Sequence, residues 1–239
     1  MEDTQYERHY RLSKKHWWYV ATNHLFYEFI NKYVQKKGSI LDVGCGAGGM
    51  LNLLKPDYPF VTGIDNERKA LKYCKLNGID NAIQGEVESI PFVEGTFHGI
   101  ISLDVLYHEG VKNDVAALKE IARVLKPAGY VFIQLPAYEW MRSSHDRIAH
   151  SSRRYTKRRL KEMLISCDLR IERVTYRVCM LFILAFIQRK LLRNQDSDMR
   201  ETNGILNALF IMFMRFEKFL LKKINLPFGL SVIAIAQKR

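Results

Sequence analysis

The feature that most constrains the fold is the segment SILDVGCGAGGMLNLL, residues 39–54. Its apolar start predicts a short buried strand, four glycines form a loop, and the apolar residues 50–54 suit one face of a helix. Glycines allow positive φ and let a ligand approach the backbone closely, and a helix N-terminus offers free N–H groups. The segment is therefore predicted to hold a nucleotide-like group.

Two acidic residues narrow the choice of ligand. Gly44, Gly46 and Gly49 also satisfy the GxGxxG pattern of dinucleotide sites, which is a weak signal alone. Asp42, at the end of the strand, favours a ligand with a positive charge, such as an amino-acid ammonium group, because it would repel a pyrophosphate. Asp65 ends a second strand in FVTGIDNE, where a carboxylate accepts both hydroxyls of a ribose. A helix N-cap is the alternative for Asp65.

Strand and helix patterns alternate along the chain. Strands are predicted at 39–43, 60–64, 82–84, 98–103, 129–135, 168–178 and 229–238, with helices at 48–54, 67–76 and 113–124. This alternation predicts an α/β fold with a doubly wound, mostly parallel seven-stranded sheet. Its ligand should lie above the carboxyl ends of the strands.

The chain of 239 residues is predicted to form a single domain, 1–239. Residues 1–36, rich in aromatic side chains at helical spacing, are predicted to form a helical cap, and residues 37–140 the ligand-binding core. Residues 141–239 carry 21 Lys and Arg against 8 Asp and Glu, so the anionic partner is expected to meet this part. The four cysteines are scattered without metal-ligand spacing, and the start of the chain is polar, so we expect no metal, no export and a cytoplasmic location.

Two apolar runs interrupt the last part of the chain, at 178–187 and 205–214, within a predicted helical insertion at about 178–224 between strands six and seven. Neither run reaches the ~18–20 apolar residues that span a bilayer. A buried or oligomer-forming helix pair is one interpretation. The other is contact with a lipid-linked substrate or an anionic membrane surface, which would make the protein peripheral at the inner face of the membrane.

Further motifs connect the glycine loop to a known family. The pattern of residues 39–67 continues in two further segments, GEVESIPFVEGTFHGIISLDVLYHEG at residues 85–110 and EIARVLKPAGYVFIQLPA at residues 120–137. The chain thereby resembles the class I, Rossmann-like, seven-strand methyltransferases of the type 11 group, which use S-adenosyl-L-methionine (SAM) and release S-adenosyl-L-homocysteine. The resemblance implies that SAM is bound by Asp42, Gly44, Gly46, Gly48, Asp65, Asn66, Glu86, Val87 and Asp104. Glu86 and Val87 would contact the adenine, and Asp104 would line the methionine end.

The basic stretch SSHDRIAHSSRRYTKRRL, residues 143–160, follows strand five and should lie near the transferable methyl group. Thr156 can cap a helix whose first turn is cationic, an arrangement that favours a docked anion. The stretch is similar to a type 11 branch associated with glycan and lipid-linked sugar assembly. An acceptor site is predicted from Asp146, Arg153, Arg154 and Tyr155 of this stretch, together with Trp18 and Tyr19 of the N-terminal cap. The alternatives are that the stretch binds nucleic acid or that it is simply a solvated surface.

An alcohol acceptor loses a proton when it is methylated, so a general base is expected. The candidates, in order, are His145, His150 and His108, and Asp146 can orient one of them. The predicted activity is O-methylation of an amphipathic or lipid-linked anionic small molecule of the sugar, quinone or polyprenyl type. An RNA methyltransferase, a non-catalytic SAM-binding subunit and an NAD-dependent oxidoreductase are the alternatives.

Overall fold

The computed structural model describes residues 10, 12–187 and 203–239. Seven strands form one sheet in the order β3-β2-β1-β4-β5-β7-β6. The strands are β1 Ile40–Val43, β2 Val61–Asp65, β3 Ala82–Gln84, β4 Phe97–Leu103, β5 Leu125–Pro136, β6 Leu169–Arg177 and β7 Ser231–Lys238. The first five are parallel, and β7 runs antiparallel between β5 and β6. The predicted mostly parallel seven-stranded sheet is confirmed.

Helices cover both faces of this sheet, as the alternating pattern predicts. They are α1 Trp17–Tyr33, α2 Gly49–Leu54, α3 Arg68–Leu76, α4 Asp114–Val124, α5 Ser144–Ile148, α6 Lys157–Ser166, α7 Cys179–Phe186 and α8 Gly204–Leu221. The N-terminal helical cap corresponds to α1, and the helical insertion corresponds to α7 and α8, between β6 and β7.

Local sequence explains where two helices near the site begin. Asn113 accepts hydrogen bonds from the first N–H groups of α4, and Thr156 accepts one from Arg159 N at the start of α6. The apolar residues of α6 at helical spacing, Leu160, Met163 and Leu164, are buried.

The core consists of one apolar layer on each side of the sheet. Neighbouring residues of a strand alternate between them: Ile100 and Ile133 pack in one cluster, and Ile101 and Phe132 in the other. The runs of consecutive apolar residues in β1, β4 and β5 follow from this burial on both faces. The result is a rigid edge at which the carboxyl ends of β1, β2, β4 and β5 meet.

The apolar insertion is only partly buried. Leu181 of α7 and Met214 and Leu221 of α8 are buried, but most of the large apolar side chains of both helices are exposed. The core interpretation therefore holds for one face of the pair. Within the ranges that the structure describes, no helix is long and apolar enough to cross a membrane.

Candidate active site

The glycine loop after β1 has the predicted geometry. Gly44, Gly46 and Gly48 adopt φ values of 73°, 54° and 77°, which other L-residues rarely adopt. A side chain at Gly44 would also lie 2.4 Å from Val105 Cγ2, so this position excludes any larger residue. The loop leads directly into α2, whose first N–H groups face the same edge of the sheet.

Asp65 joins the end of β2 to this loop. Its Oδ2 accepts the Gly46 N–H at 2.9 Å, and its Oδ1 accepts the Glu67 N–H at 3.0 Å. Burial raises the pKa of Asp65, and the two backbone hydrogen bonds oppose that rise. Because α3 begins at Arg68 with Glu67 at the cap position, Asp65 is not the N-cap of this helix. Each oxygen keeps a lone pair for a further donor, as a ribose would supply.

Asp42 is a buried carboxylate beside the loop, 5% exposed. Burial, with a further contribution from the nearby Asp65, raises its pKa to about 8. No described residue donates a hydrogen bond to its side chain. A cationic group at this position would restore the ionised form, so the site fits the ammonium end of SAM.

The predicted adenine side lies at the ends of β2 and β3. Asn66 and Glu86 are exposed, and Val87 is buried in the core. The Asn66 carbonyl accepts a hydrogen bond from the Gln84 side chain at 3.1 Å, which connects the ends of the two strands. The adenine role of Glu86 and Val87 stays a prediction.

Asp104 marks the opposite side of the site, after β4. It has φ of 58°, and Gln134 Nε2 donates to its carboxylate at 2.7 Å. Burial raises its pKa to about 6, although hydrogen bonds from Gln134 and Trp18 and the positive charge of Arg177 favour the ionised form. The α1 helix therefore reaches the site through Trp18, as predicted for the cap.

Arg177, at the end of β6, is the centre of a buried polar network that the sequence did not suggest. It is 1% exposed, donates to Gln134 Oε1 at 2.5 Å and to Thr22 Oγ1 at 2.7 Å, and its guanidinium carbon lies 5.6 Å from the Trp18 ring centroid. Burial lowers its pKa, while Glu217 and Asp104 support its charge. The available signal was an arginine immediately before the apolar run 178–187.

Two of the three candidate histidines lie close together. His108 and His150 have ring centroids 5.7 Å apart, and His150 Nδ1 lies 2.7 Å from Glu109 Oε1. Burial, and then the proximity of His150, lowers the pKa of His108. The side chain of His145 lies outside the described residues, so its predicted role stays a prediction.

The basic stretch differs from the predicted anion clamp. Arg154 is 6% exposed, forms a bidentate pair with Asp146 at 2.7 and 3.0 Å, and donates to the Ala137 carbonyl at 2.9 Å. Burial opposes ionisation of Asp146, but Arg154 outweighs this effect and holds the pKa below its ordinary value. Tyr155 is fully buried, and its hydroxyl donates to the Leu106 carbonyl at 3.1 Å. Asp146, Arg154 and Tyr155 are structural, because their polar groups already have hydrogen-bond partners within the protein.

Arg153 also forms hydrogen bonds within the protein, although it is less buried than Arg154. It is half-buried and donates to the Val111 carbonyl at 2.6 Å and to Ser152 Oγ at 2.9 Å. The cations of α6, by contrast, line an open groove with Tyr176, namely Lys157, Arg158 and Lys161. Any anion would therefore meet α6 rather than the Arg153–Arg154 pair.

Tyr107 is a second residue that sequence reasoning missed. Burial raises its pKa, and the carboxylate of Asp104 adds to the effect, so the hydroxyl keeps its proton. Tyr19 of α1 is another close neighbour. Tyr107 lies between Asp104 and His108 in the chain, and this position was the only signal.

Comparison with known proteins agrees with this geometry. Residues 41–133 match the family model described as a methyltransferase domain. The chain is 31% identical over 99 residues to a ubiquinone biosynthesis O-methyltransferase of Bordetella avium, covering 39% of this chain and 40% of that protein. It is 32% identical over 115 residues to the cycloartenol-C-24-methyltransferase of Arabidopsis thaliana, covering 45% and 32%. The chain thus spans less than half the length of these relatives.

A solved structure extends the likeness to the whole fold. It is the methyltransferase in complex with the Haloferax volcanii Trm112 activator, with a TM-score of 0.67 and 18% identity, covering 98% of this chain and 94% of that one. At this identity the likeness concerns the fold alone. It includes the part of the chain outside residues 41–133.

Proposed function

Since residues 41–133 match the family model of a methyltransferase domain, we propose that the protein is a SAM-dependent methyltransferase that methylates an oxygen of an amphipathic, anionic small molecule. The observation that carries the proposal is a pair of carboxylates, the buried Asp42 and the half-buried Asp65, on either side of a positive-φ glycine loop. Both carboxylates lack a cationic partner among the described residues.

Each residue of the loop side would hold one part of SAM. Asp65 would accept the ribose hydroxyls, Asp42 would receive the ammonium group, and Gly44 would leave room for the backbone to approach. Asp104 would close the methionine end, held in place by Gln134 and Trp18. SAM supplies a methyl group on a sulfonium, which is transferred by in-line displacement; the protein aligns the acceptor and excludes water.

We assign the general base to His150. Its Nδ1 faces the Glu109 carboxylate, which can only accept, so Nδ1 carries the proton and Nε2 is left to take one from the acceptor. His108 has the opposite arrangement, because its Nδ1 accepts the Gly110 N–H at 3.1 Å. Neutral His108 can therefore donate a hydrogen bond from Nε2 and orient an acceptor oxygen.

The acceptor side supports an amphipathic molecule. Tyr138 stacks on Tyr176 with ring centroids 4.9 Å apart, and Phe182 of α7 lies edge-on to Tyr138 at 5.8 Å. Lys157 Nζ lies 5.0 Å from the centroid of the Tyr176 ring. An apolar, aromatic surface thus adjoins a cation, which suits a molecule with an apolar body and an anionic group.

Labelled methyl transfer tests the proposal. Purified protein is incubated with methyl-labelled SAM and a cell extract, and label is counted in the organic, small-molecule aqueous, RNA and protein fractions. The proposal expects label in the organic phase. Label in RNA would overturn the acceptor class, and SAM binding without label in any fraction would favour a binding-only subunit.

Two histidine variants test the base. His150→Gln should lower kcat about 100-fold and leave the Kd for SAM unchanged, since it removes only the proton acceptor. His24→Gln is the matched control, because His24 is exposed on α1. Unchanged kcat in His150→Gln would remove His150 from the mechanism.

A further inference from the structure

The outer face of α8 carries a continuous row of exposed apolar side chains. We call this row the apolar stripe; its residues are spaced three or four apart, so they share one side of the helix. Their exposed fractions are large: Ile205 82%, Leu209 38%, Met212 56%, Phe216 53% and Phe219 55%. At 18 residues α8 is about 27 Å long, so the stripe is an extended surface.

Polar contacts fix the opposite face of α8 to the rest of the protein. Glu217 is 2% exposed and accepts the N–H groups of Val178 and Cys179, both at 2.6 Å. Asn207 Oδ1 accepts the Trp17 N–H at 2.8 Å. Rotation of α8 to bury the stripe would break these bonds and expose a buried carboxylate, so the stripe faces outward by construction.

The neighbouring helix extends the apolar surface. Met180, Ile183 and Leu184 of α7 are exposed by 40%, 55% and 57%. Phe186 lies 6.0 Å from Trp140, which is itself 49% exposed. An exposed apolar area of this size marks an interaction surface.

Charge identifies what the surface binds. Arg215 and Lys223 are exposed, and Lys223 Nζ lies 5.0 Å from the Phe219 ring centroid, directly beside the stripe. Glu217 is the only acidic residue between 203 and 224, and it is buried. The exposed side of α8, with the residues that directly follow it, therefore combines apolar and cationic side chains, as interfacial helices do.

A second copy of this chain is a poorer match than a membrane. A twofold contact along the stripe would bring Arg215 and Lys223 of both copies together without an exposed acidic residue of α8 to neutralise them. Anionic lipid headgroups supply the missing charge, and acyl chains accept the stripe. We propose that the apolar stripe of α8, continued by α7, docks on the surface of an anionic lipid bilayer. This inference does not depend on methyl transfer.

Vesicle co-sedimentation tests the docking. Full-length protein is spun with vesicles of phosphatidylcholine alone or mixed with phosphatidylglycerol, at low and high salt. We expect sedimentation with the anionic vesicles, and several-fold less at high salt because ions screen the cations. Absence of sedimentation with anionic vesicles at low salt overturns the proposal, whatever the outcome of the labelling experiment.

Paired variants distinguish vesicle binding through the apolar stripe from nonspecific binding by other exposed apolar side chains. Met212→Gln with Phe216→Gln should reduce the bound fraction at least about tenfold, since it removes two of the exposed apolar side chains that would enter the bilayer. Phe60→Gln with Val93→Gln is the matched control, because these side chains are exposed by 66% and 78% elsewhere on the surface. Equal losses in both pairs would overturn the assignment to α8.

A charge variant keeps the test independent of folding. Arg215→Gln with Lys223→Gln changes only exposed side chains and should weaken binding to anionic vesicles about tenfold, with little change on phosphatidylcholine. Unchanged binding would contradict the proposed role of charge. If light scattering without lipid shows a dimer that the stripe variant abolishes, a second copy is the occupant and the membrane proposal is wrong.

Discussion

Carboxylates lie on both halves of the same sheet edge, but their surroundings differ. At the ends of β1 and β2, Asp42 and Asp65 have raised pKa values and no cationic partner among the described residues. Beyond β5, Asp146 is paired with Arg154 at 2.7 Å and has a lowered pKa. Where the protein supplies the opposite charge itself, the carboxylate belongs to the scaffold. Where it does not, the carboxylate is available to a positive or hydrogen-bond-donating group of a ligand.

Breaking the scaffold pair should have the largest effect. Arg154→Met leaves the Asp146 carboxylate buried without its partner and should lower the free energy of unfolding by about 3–5 kcal/mol, measured by urea denaturation. Arg158→Met is the control, since Arg158 is 89% exposed in its side chain, and it should leave stability unchanged. If Arg154→Met instead raised only the KM for the acceptor, the comparison drawn above would be wrong.

Removing a ligand-side carboxylate should act on binding. Asp65→Ala is expected to weaken SAM binding at least about tenfold, because hydrogen bonds to a charged group are lost. Calorimetry measures the affinity, and Asp80→Ala, which changes an exposed aspartate, should not alter it. Equal affinity in Asp65→Ala and the wild type would exclude the ribose assignment.

Asp42 should couple SAM binding to proton release. Its folded pKa of about 8 lies above the ordinary value, so the stability it contributes is complete at low pH and is lost as pH rises through about 8. A bound ammonium group favours the ionised form, so binding at pH 7 should release up to about one proton. Calorimetry in two buffers of different ionisation enthalpy measures this release, which Asp42→Asn should abolish while weakening binding.

The pH dependence of stability gives the matching control. Asp42→Asn should be more stable than the wild type above pH 8, since it no longer places an ionised carboxylate in the core.

Identical heats of SAM binding in the two calorimetry buffers for the wild-type protein would show that Asp42 does not meet the ammonium group.

A half-buried carboxylate between two lysines should give the smallest effect. Glu28 on α1 meets Lys218 and Lys222 at 2.6 Å, and its side chain is 32% exposed. Glu28→Gln should therefore lower the free energy of unfolding by only about 0.5 kcal/mol, and less at high salt. A loss as large as that of Arg154→Met would mean that pairing alone, and not burial, distinguishes the two kinds of carboxylate.

Local patterns were enough to predict the part of the site formed by β1, the glycine loop and the end of β2. The strand, the glycine loop and Asp42 are consecutive, and Asp65 ends the next strand, so periodicity and spacing place them together. The strands and helices between residues 39 and 135 followed for the same reason, whereas the short helix α5 was not predicted. The boundaries differed mainly at β5, which begins at Leu125 rather than 129.

The acceptor half depends on contacts that no local pattern contains. Arg177 reaches Gln134 and Thr22, which are 43 and 155 residues away in the chain. The RRYT run suggested a clamp because the sequence shows the charge of Arg154 and the hydroxyl of Tyr155 but not the burial of either side chain. Burial depends on where β5 and α6 pack, and only tertiary structure determines that.

The position of β7 between β5 and β6 has a consequence for synthesis in the cell. Residues 231–238 pair along both neighbours, and Tyr130 of β5 lies opposite Gln237. While the ribosome is still making the helical insertion, the edge of β5 has no strand to pair with, and β6 has no place in the sheet. This exposed strand edge and the apolar helices emerge together before the sheet can close, which makes the growing chain prone to aggregation and a substrate for chaperones.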